Sequence, residues 1–262
     1  MTSIPKSRTA SRDRLNPRKT DHAYYVLREL RRHVADFTGT LTGREVLLDY
    51  GCGAMPYRPL FEGRVAGYVG ADLKGNPEAE LVLDTDGTVP AQSGSFDVVL
   101  SSQVLEHVED PMAYLAEAMR LLRPGGVLVL STHGSWRYHP HPEDYWRWTA
   151  SGLRKILCAS GFEVRSLRGV LGPLATATQL WQDAALPRLP RRLRKPFTRL
   201  LQLAIAAQER WTPESATAAD ACVYFVVATK PIGEEGRAVS EGKPASRPPA
   251  TVPVERDSGL SS

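Results

Sequence analysis

Apolar and polar positions follow two rhythms along this chain. The first is helical. After Asp21, which can cap a helix, Tyr25, Leu27, Leu30 and Val34 recur near one face and predict a helix to about Phe37. The second is a series of short, continuous apolar runs of strand length: Val46–Asp49, Gly67–Asp72, Leu81–Asp84, Phe96–Ser101, Val127–Ser131, Phe162–Leu167 and Ala221–Thr229. Helical patterns lie between them, Pro111–Leu122 with proline allowed in its first turn and Leu153–Ser160 closed by Gly161. "RPGG" at 123–126 reads as a turn. Continuous apolar strands alternating with helices predict a Rossmann-like, doubly wound α/β fold whose parallel sheet is covered on both faces. A ligand of such a sheet lies beyond the carboxyl ends of its strands, so the residues just after each strand are where function is expected.

The pattern also divides the chain. Residues 1–19 are polar, basic and broken by proline, and are expected to form a flexible arm. Residues 20–230 carry the folded domain, with an insert at about 168–220 between the last two strands. From Pro231 to Ser262 glycine, proline, serine and charges dominate, which reads as a disordered tail. Of the 262 residues, 42% are apolar and 24% charged, the balance of an ordinary soluble domain. No run approaches the roughly 18 apolar residues of a membrane span. The basic N-terminus lacks the apolar core of a secretory signal, so cytoplasmic residence is expected. Cys52, Cys158 and Cys222 are too widely spaced to suggest a disulfide framework or a zinc site.

The net charge of +4 matters less than its distribution. One basic cluster lies in the first twenty residues, the other at Arg188, Arg191, Arg192, Arg194, Lys195 and Arg199. Such clusters suit a solvated face, or nucleic acid, or anionic lipid. The nucleic-acid signal is not strong. Between Pro187 and Gln208 there is no acidic residue, and a helix from about Phe197 to Trp211 has a broad apolar face. The segment 187–211 therefore has two readings: a cap helix packed on the domain with its arginines outward, or a weak peripheral membrane contact.

Candidate chemistry begins at "VLLDYGCGAMP", where a buried strand ends in an acid and two glycines. Gly51 and Gly53 let the backbone turn tightly and approach a ligand. A dinucleotide fingerprint needs a third glycine where this chain has Pro56. Asp49 would repel a pyrophosphate but suits a cation. Asp72, at the end of the second strand, can accept hydrogen bonds from ribose hydroxyls. A ligand with a ribose, an ammonium group and no phosphate meets both acids, and S-adenosylmethionine is that molecule.

Four blocks in order, "VLLDYGCGAMPYRPLF", "YVGADL", "SFDVVLSSQVLEHVEDP" and "EAMRLLRPGGVLVLS", resemble a class I S-adenosylmethionine-dependent methyltransferase of the type-11 kind. The resemblance covers about residues 44–167, with a closing strand at 221–229. It implies a seven-stranded sheet, mostly parallel with the last strand antiparallel. It also implies that Asp49, Gly51, Cys52 and Gly53 form the loop under the methionine end of the cofactor. Asp72, with Leu73 beside it, matches the ribose-binding acid. Asp84 and Thr85 match positions near the adenine, although "DTDG" also reads as an ordinary turn. Ser101, Ser102 and Gln103 line the site, and Glu106 and His107 match the family's acid–histidine pair. One departure is visible: "LKGNPEAE" between Asp72 and Leu81 is too short for the family's full helix.

The acceptor side is expected in "THGSWRYHPHPEDYWRWT", Thr132–Thr149, which the resemblance makes a lid. Methyl transfer mainly requires alignment and exclusion of water, with a general base if the acceptor is a hydroxyl. His139 and His141 are the leading base candidates, with His107 and, less so, His133. Asp144 is placed to orient one of them or to contact substrate. Tyr145, Trp146 and Trp148 are candidate walls of an acceptor pocket, or core filling with Thr149 as a helix cap. A pair of histidines around Pro140 lacks a clear third ligand, so no metal is expected. The expected activity is methyl transfer to oxygen or nitrogen of a small molecule, a metabolite, sugar or lipid intermediate, by a monomer or homodimer. The competing readings are a non-catalytic binding protein on the same fold, and a membrane or nucleic-acid adaptor acting through the basic clusters.

Overall fold

The computed structural model describes residues 14–140 and 143–233. One compact unit ends at Pro231. Seven strands form its sheet: β1 (Val46–Tyr50), β2 (Gly67–Asp72), β3 (Leu81–Val82), β4 (Phe96–Ser102), β5 (Leu122–His133), β6 (Glu163–Val170) and β7 (Val223–Thr229). Their spatial order is β3-β2-β1-β4-β5-β7-β6. All neighbours are parallel except β7, which runs antiparallel to both β5 and β6. The chain winds outward from β1 to β3 and then returns to place β4 on the other side of β1. The switch point therefore lies between the carboxyl ends of β1 and β4, where Gly51 and Gln103 stand.

Both faces of the sheet are covered, as continuous apolar strands require. Leu48, Val99, Leu128 and Leu130 point into one core with Leu105, Leu115, Leu121, Leu153 and Leu157. Leu47, Val98, Leu100 and Val129 point into the other with Val26, Leu30, Val34, Phe61 and Ile205. Each fully buried leucine contributes about 1.5–3 kcal/mol over its exposed state.

Helices α1 (Tyr24–Thr38), α2 (Arg58–Phe61), α3 (Pro111–Leu121) and α4 (Ala150–Ala159) cover these faces. The Asp110 carboxylate accepts from the Met112 and Ala113 amides and starts α3 with Pro111 in its first turn. Lys230 Nζ donates to the carbonyls of Met119 and Leu122 and closes it. Thr149 caps α4 through the Gly152 amide, one of the two readings the sequence left for this segment.

Several boundaries differ from the sequence reading. Asp21 does not cap α1: its carboxylate takes the Arg18 amide, and the helix begins after Ala23. "RPGG" is no separate turn. Phe96 pairs Leu122 and Val98 pairs Val127, so residues 123–126 bulge out within β5. The third strand is two residues rather than four. The basic arm is not wholly loose, because Leu15 packs against the second core. Residues 1–13 of the arm and the tail from 234 lie outside the described residues.

The insert holds more helix than expected: α5 (Pro173–Ala185), α6 (Arg191–Trp211) and α7 (Glu214–Ala219). Beside the apolar contacts of Ala175 and Ile205, its attachment is polar. The His22 carbonyl accepts from Gln179, Gln182 and Gln202, whose side chains are nearly or wholly buried. Gln202 also accepts from the Tyr25 amide, and Asp183 pairs with His22 at 3.1 Å. Buried amides that satisfy one another in this way fix α5 and α6 against the start of α1.

Candidate functional site

Functional candidates gather at the carboxyl ends of β1, β2, β4 and β5. Asp49 is buried beneath the glycine turn, and its Oδ2 accepts from Tyr68 OH at 2.6 Å. Burial raises its pKa to about 7; the Tyr68 hydrogen bond opposes the rise, and Asp72 and Glu80 add to it. Gly51, with φ +78°, closes the turn, and a Cβ there would come within 2.7 Å of Val104.

Asp72, one strand over, ties this turn to β2. Its Oδ2 accepts from the Gly53 amide at 2.9 Å and from Asn76 Nδ2 at 2.6 Å; Oδ1 accepts from the Leu73 amide at 2.8 Å. The short connection after β2 forms turns rather than a helix and folds Asn76 back over the acid. Oδ2 is thereby saturated, and Oδ1 keeps one lone pair. Two ribose hydroxyls fit this acid only if Asn76 gives way. Asn76 was not foreseen; its place in a connection too short for a helix was the available signal.

Asp84 and Thr85 are exposed in a turn where the Asp84 amide donates to the Thr88 carbonyl. Tyr50 OH donates to the Gly87 carbonyl at 2.7 Å and fixes that turn against β1. Of the three residues after β4, Ser101 is wholly buried and its hydroxyl accepts from Tyr114 OH. It does not line an open site, because strand alternation turns it into the core. Ser102 and Gln103 both reach Ser131, and Gln103 adopts a positive φ of 58°. A non-glycine residue in that region at a switch point is strained where a ligand is expected.

A second group assembles across β4 and β5. A short 3-10 helix, Leu105–His107, carries Glu106, and β5 ends in Thr132 and His133. Glu106 is fully buried; its Oε2 accepts from Thr132 Oγ1 at 2.9 Å. Its Oε1 lies 2.8 Å from His133 Nδ1, yet the two fail hydrogen-bond geometry and both remain without a hydrogen-bond partner. Burial alone would raise the Glu106 carboxyl, but the His133 imidazole outweighs it and holds the group below its ordinary range.

The lid brings His139 edge-on to both His133 and His107. Asp144 organises the lid. It accepts the His139 amide at 2.8 Å, lies 3.1 Å from His139 Nδ1, and takes both terminal nitrogens of Arg147 at 2.6 Å. Arg147 in turn donates to the carbonyls of Trp136 and Arg137. Desolvation opposes its ionisation, but the Arg147 hydrogen bonds and the His139 amide hold Asp144 far below the carboxylate range. His107 Nδ1 meets the Glu143 carbonyl, and its Nε2 is 3.9 Å from Glu106 Oε1.

His107, His139 and Asp144 are thus brought together as candidates, while His141 lies outside the described residues. Sequence reasoning ranked His133 low and gave Glu106 only a family match; what joins them is the adjacency of β4 and β5. Tyr145 and Trp146 are exposed, and Trp146 Nε1 donates to the Val108 carbonyl at 2.8 Å. Trp148 stacks beside Trp146 and packs against the core.

Helix α6 packs on the domain through one face and leaves an apolar stripe outside. Thr198, Gln202 and Ile205 are the buried residues of α6, whereas Leu193, Leu200, Leu203 and Trp211 are exposed, Trp211 at 86%. No helix among the described residues is long and apolar enough to cross a membrane.

Comparison with known proteins now adds the family. The methyltransferase domain model matches residues 22–167, more than half of the chain. A ubiquinone biosynthesis O-methyltransferase of Cereibacter sphaeroides is 38% identical over 99 residues, covering 33% of this chain and 40% of the relative. The chain therefore aligns with about two fifths of that relative's length. Among solved structures, the protein bound to the Haloferax volcanii Trm112 methyltransferase activator has a TM-score of 0.53 at 19% identity, over 87% of this chain and 98% of that one. The [4+2]-cyclase SpnF has a TM-score of 0.50 at 20% identity, over 78% and 82%. At such identities the two structures establish the shared fold and nothing about reaction.

Proposed function

Because the chain belongs to the methyltransferase-domain family, we propose that it transfers a methyl group from S-adenosylmethionine to an oxygen or nitrogen of a small molecule. The observation that carries this reading is the pairing of two sites at one sheet edge. A buried acid, a glycine turn and a second acid stand at β1 and β2, and a histidine–glutamate cluster stands at β4 and β5. The cofactor fits the first on the structure's own terms. The glycine turn packs its backbone closely on Val104 at the switch point, Asp49 is a buried acid whose charge burial disfavours, and Asp72 keeps a lone pair for a hydroxyl.

Bound there, S-adenosylmethionine supplies a sulfonium-activated methyl carbon; the carbon–acceptor bond forms as the carbon–sulfur bond breaks, and the pair stays on sulfur. Asp49 answers the ammonium and Asp72 the ribose. On the acceptor side one imidazole, that of His107 or of its neighbour His139, takes the acceptor's single proton. Asp144 and the Glu143 carbonyl hold their Nδ1 atoms, which leaves each Nε2 with its lone pair. Arg147 and Asp144 keep the lid closed over the reacting atoms, and Trp146 and Tyr145 offer an aromatic wall.

Calorimetric titration with S-adenosylhomocysteine, followed by labelled-methyl transfer into fractionated extract, tests both halves. Absence of cofactor binding at millimolar concentration sinks the reading. Binding without transfer to any acceptor favours a non-catalytic protein on the same fold.

The exposed face of α6 favours one further contact, a weak one with an anionic membrane. Leu193, Leu200 and Trp211 share a stripe at seven-residue and eighteen-residue spacings, flanked by Arg192, Arg199 and Arg210. Binding to anionic vesicles that falls with salt and is lost in Leu200→Ser/Trp211→Ser supports it; equal binding by that variant overturns it.

A further inference from the structure

The geometry points to a divalent first-row transition-metal site formed by Glu106, His133 and His139. One donor atom of each lies within 4.8 Å of the others. The residues come from three separate segments, so no spacing in the sequence announces them.

Three details carry this. First, Glu106 Oε1 and His133 Nδ1 are buried and 2.8 Å apart, yet neither has a hydrogen-bond partner. At that distance the pair still fails hydrogen-bond geometry, so both atoms can address a third centre. Buried polar atoms left in that state are rare and call for an ion or water. Second, in two of the three donor groups, Glu106 and His139, the other atom is already held. Thr132 Oγ1 donates to Glu106 Oε2 at 2.9 Å, and His139 Nδ1 lies 3.1 Å from Asp144 Oδ2, which leaves His139 Nε2 as the open nitrogen. Oriented carboxylate–histidine pairs of this kind fix the tautomer of a metal-binding imidazole. Third, the set is mixed nitrogen and oxygen. Two imidazoles and one carboxylate suit Zn²⁺, Co²⁺, Fe²⁺ or Mn²⁺ better than the all-oxygen shells of Ca²⁺.

The spacing also indicates the geometry. With metal–ligand distances of about 2.0–2.2 Å, donors 2.8 Å apart subtend about 80–90° at the ion, a cis pair. His139 rides on the lid and closes the third position by a small movement. Three protein ligands leave positions open for an acceptor oxygen, which the ion would polarise, while His107 stays outside the trio to take the proton. The site shares its residues with the proposed acceptor side, but its existence does not depend on methyl transfer.

The test uses the full chain, stripped with a chelator and titrated with Co²⁺ in the absence of methyl donor and acceptor. Visible d–d absorption and calorimetry are the readouts. One equivalent is expected to bind, with bands typical of nitrogen and oxygen ligation, and Zn²⁺ should displace it. His139→Asn, on the partly exposed lid, and His133→Asn should each abolish the bands. Asp144→Asn keeps the ligands but loosens His139, and should weaken binding by about 10- to 100-fold. Cys158→Ser, an exposed thiol elsewhere, should change nothing. Circular dichroism checks that each variant folds. No saturable binding of Co²⁺ or Zn²⁺, or binding unchanged in His139→Asn, overturns the proposal even if methyl transfer is found.

Discussion

Replacing Asp49 by Asn separates what this buried acid does to the fold from what it does for a ligand. Its folded pKa of about 7 stands above an ordinary value of 3.8. Between those values the folded chain keeps a proton that the unfolded chain has released, so stability falls as pH rises from about 4 to about 7. Three units correspond to about 4 kcal/mol as an upper bound. Asn at this position still accepts from Tyr68 and carries no charge. The variant should therefore match the wild type near pH 4 and exceed it above pH 7, by up to that amount. His33 works in the opposite direction: burial lowers its pKa from 6.5 to about 4, so its contribution to stability is lost as pH falls through that window. Urea unfolding of both proteins from pH 4 to 9 removes the His33 effect in the difference curve.

Ligand binding gives the second half of the same experiment. A cationic ligand requires ionised Asp49, so affinity for S-adenosylhomocysteine should rise about tenfold per pH unit up to pH 7. It should fall again at higher alkaline pH, where the ligand's own α-ammonium loses its proton. In Asp49→Asn the lower limb should vanish, with affinity near pH 7.5 reduced about tenfold or more. A variant that binds as tightly as the wild type, or keeps the lower limb, would refute the assignment of Asp49 to the ammonium.

Other expectations follow from the same geometry. Asn76→Ala frees Asp72 Oδ2 and should tighten cofactor binding by about 3- to 10-fold, the worth of one hydrogen bond no longer displaced; weaker binding in calorimetry would make Asn76 a cofactor contact instead. Gly51→Ala forces a Cβ against Val104 and strains a positive φ, and should cost about 1–3 kcal/mol in denaturation along with cofactor binding. Arg147→Ala leaves a wholly buried Asp144 carboxylate short of two donors, and should cost about 1–3 kcal/mol and raise proteolysis of the lid. Gln202→Leu breaks the amide cluster that holds α6 to α1, and should lower the melting temperature more than Leu200→Ser, whose side chain is exposed.

The strands, and the glycine turn and acid that end two of them, were legible in the sequence because they rest on local rules. Continuous apolar runs such as Val46–Tyr50 and Phe96–Ser102 can only be buried on both faces, and the glycine turn and Asp72 follow directly after such runs. Parallel order between β1 and β4 then fixes where those residues meet. Local rules failed where pairing overrode them: "RPGG" has every mark of a turn but is a bulge, because Val127 must realign with Val98. The two polar assemblies were invisible for a related reason. Gln179, Gln182 and Gln202 form no motif along the chain, and they are buried because two helices bring their amides to the one carbonyl of His22. Glu106, His133 and His139 belong to different segments, and their chemistry exists only in the distances between them. A hydrophobic pattern fixes which face of an element is inward, whereas the meeting of polar groups depends on the packing of distant elements, which only the tertiary structure decides.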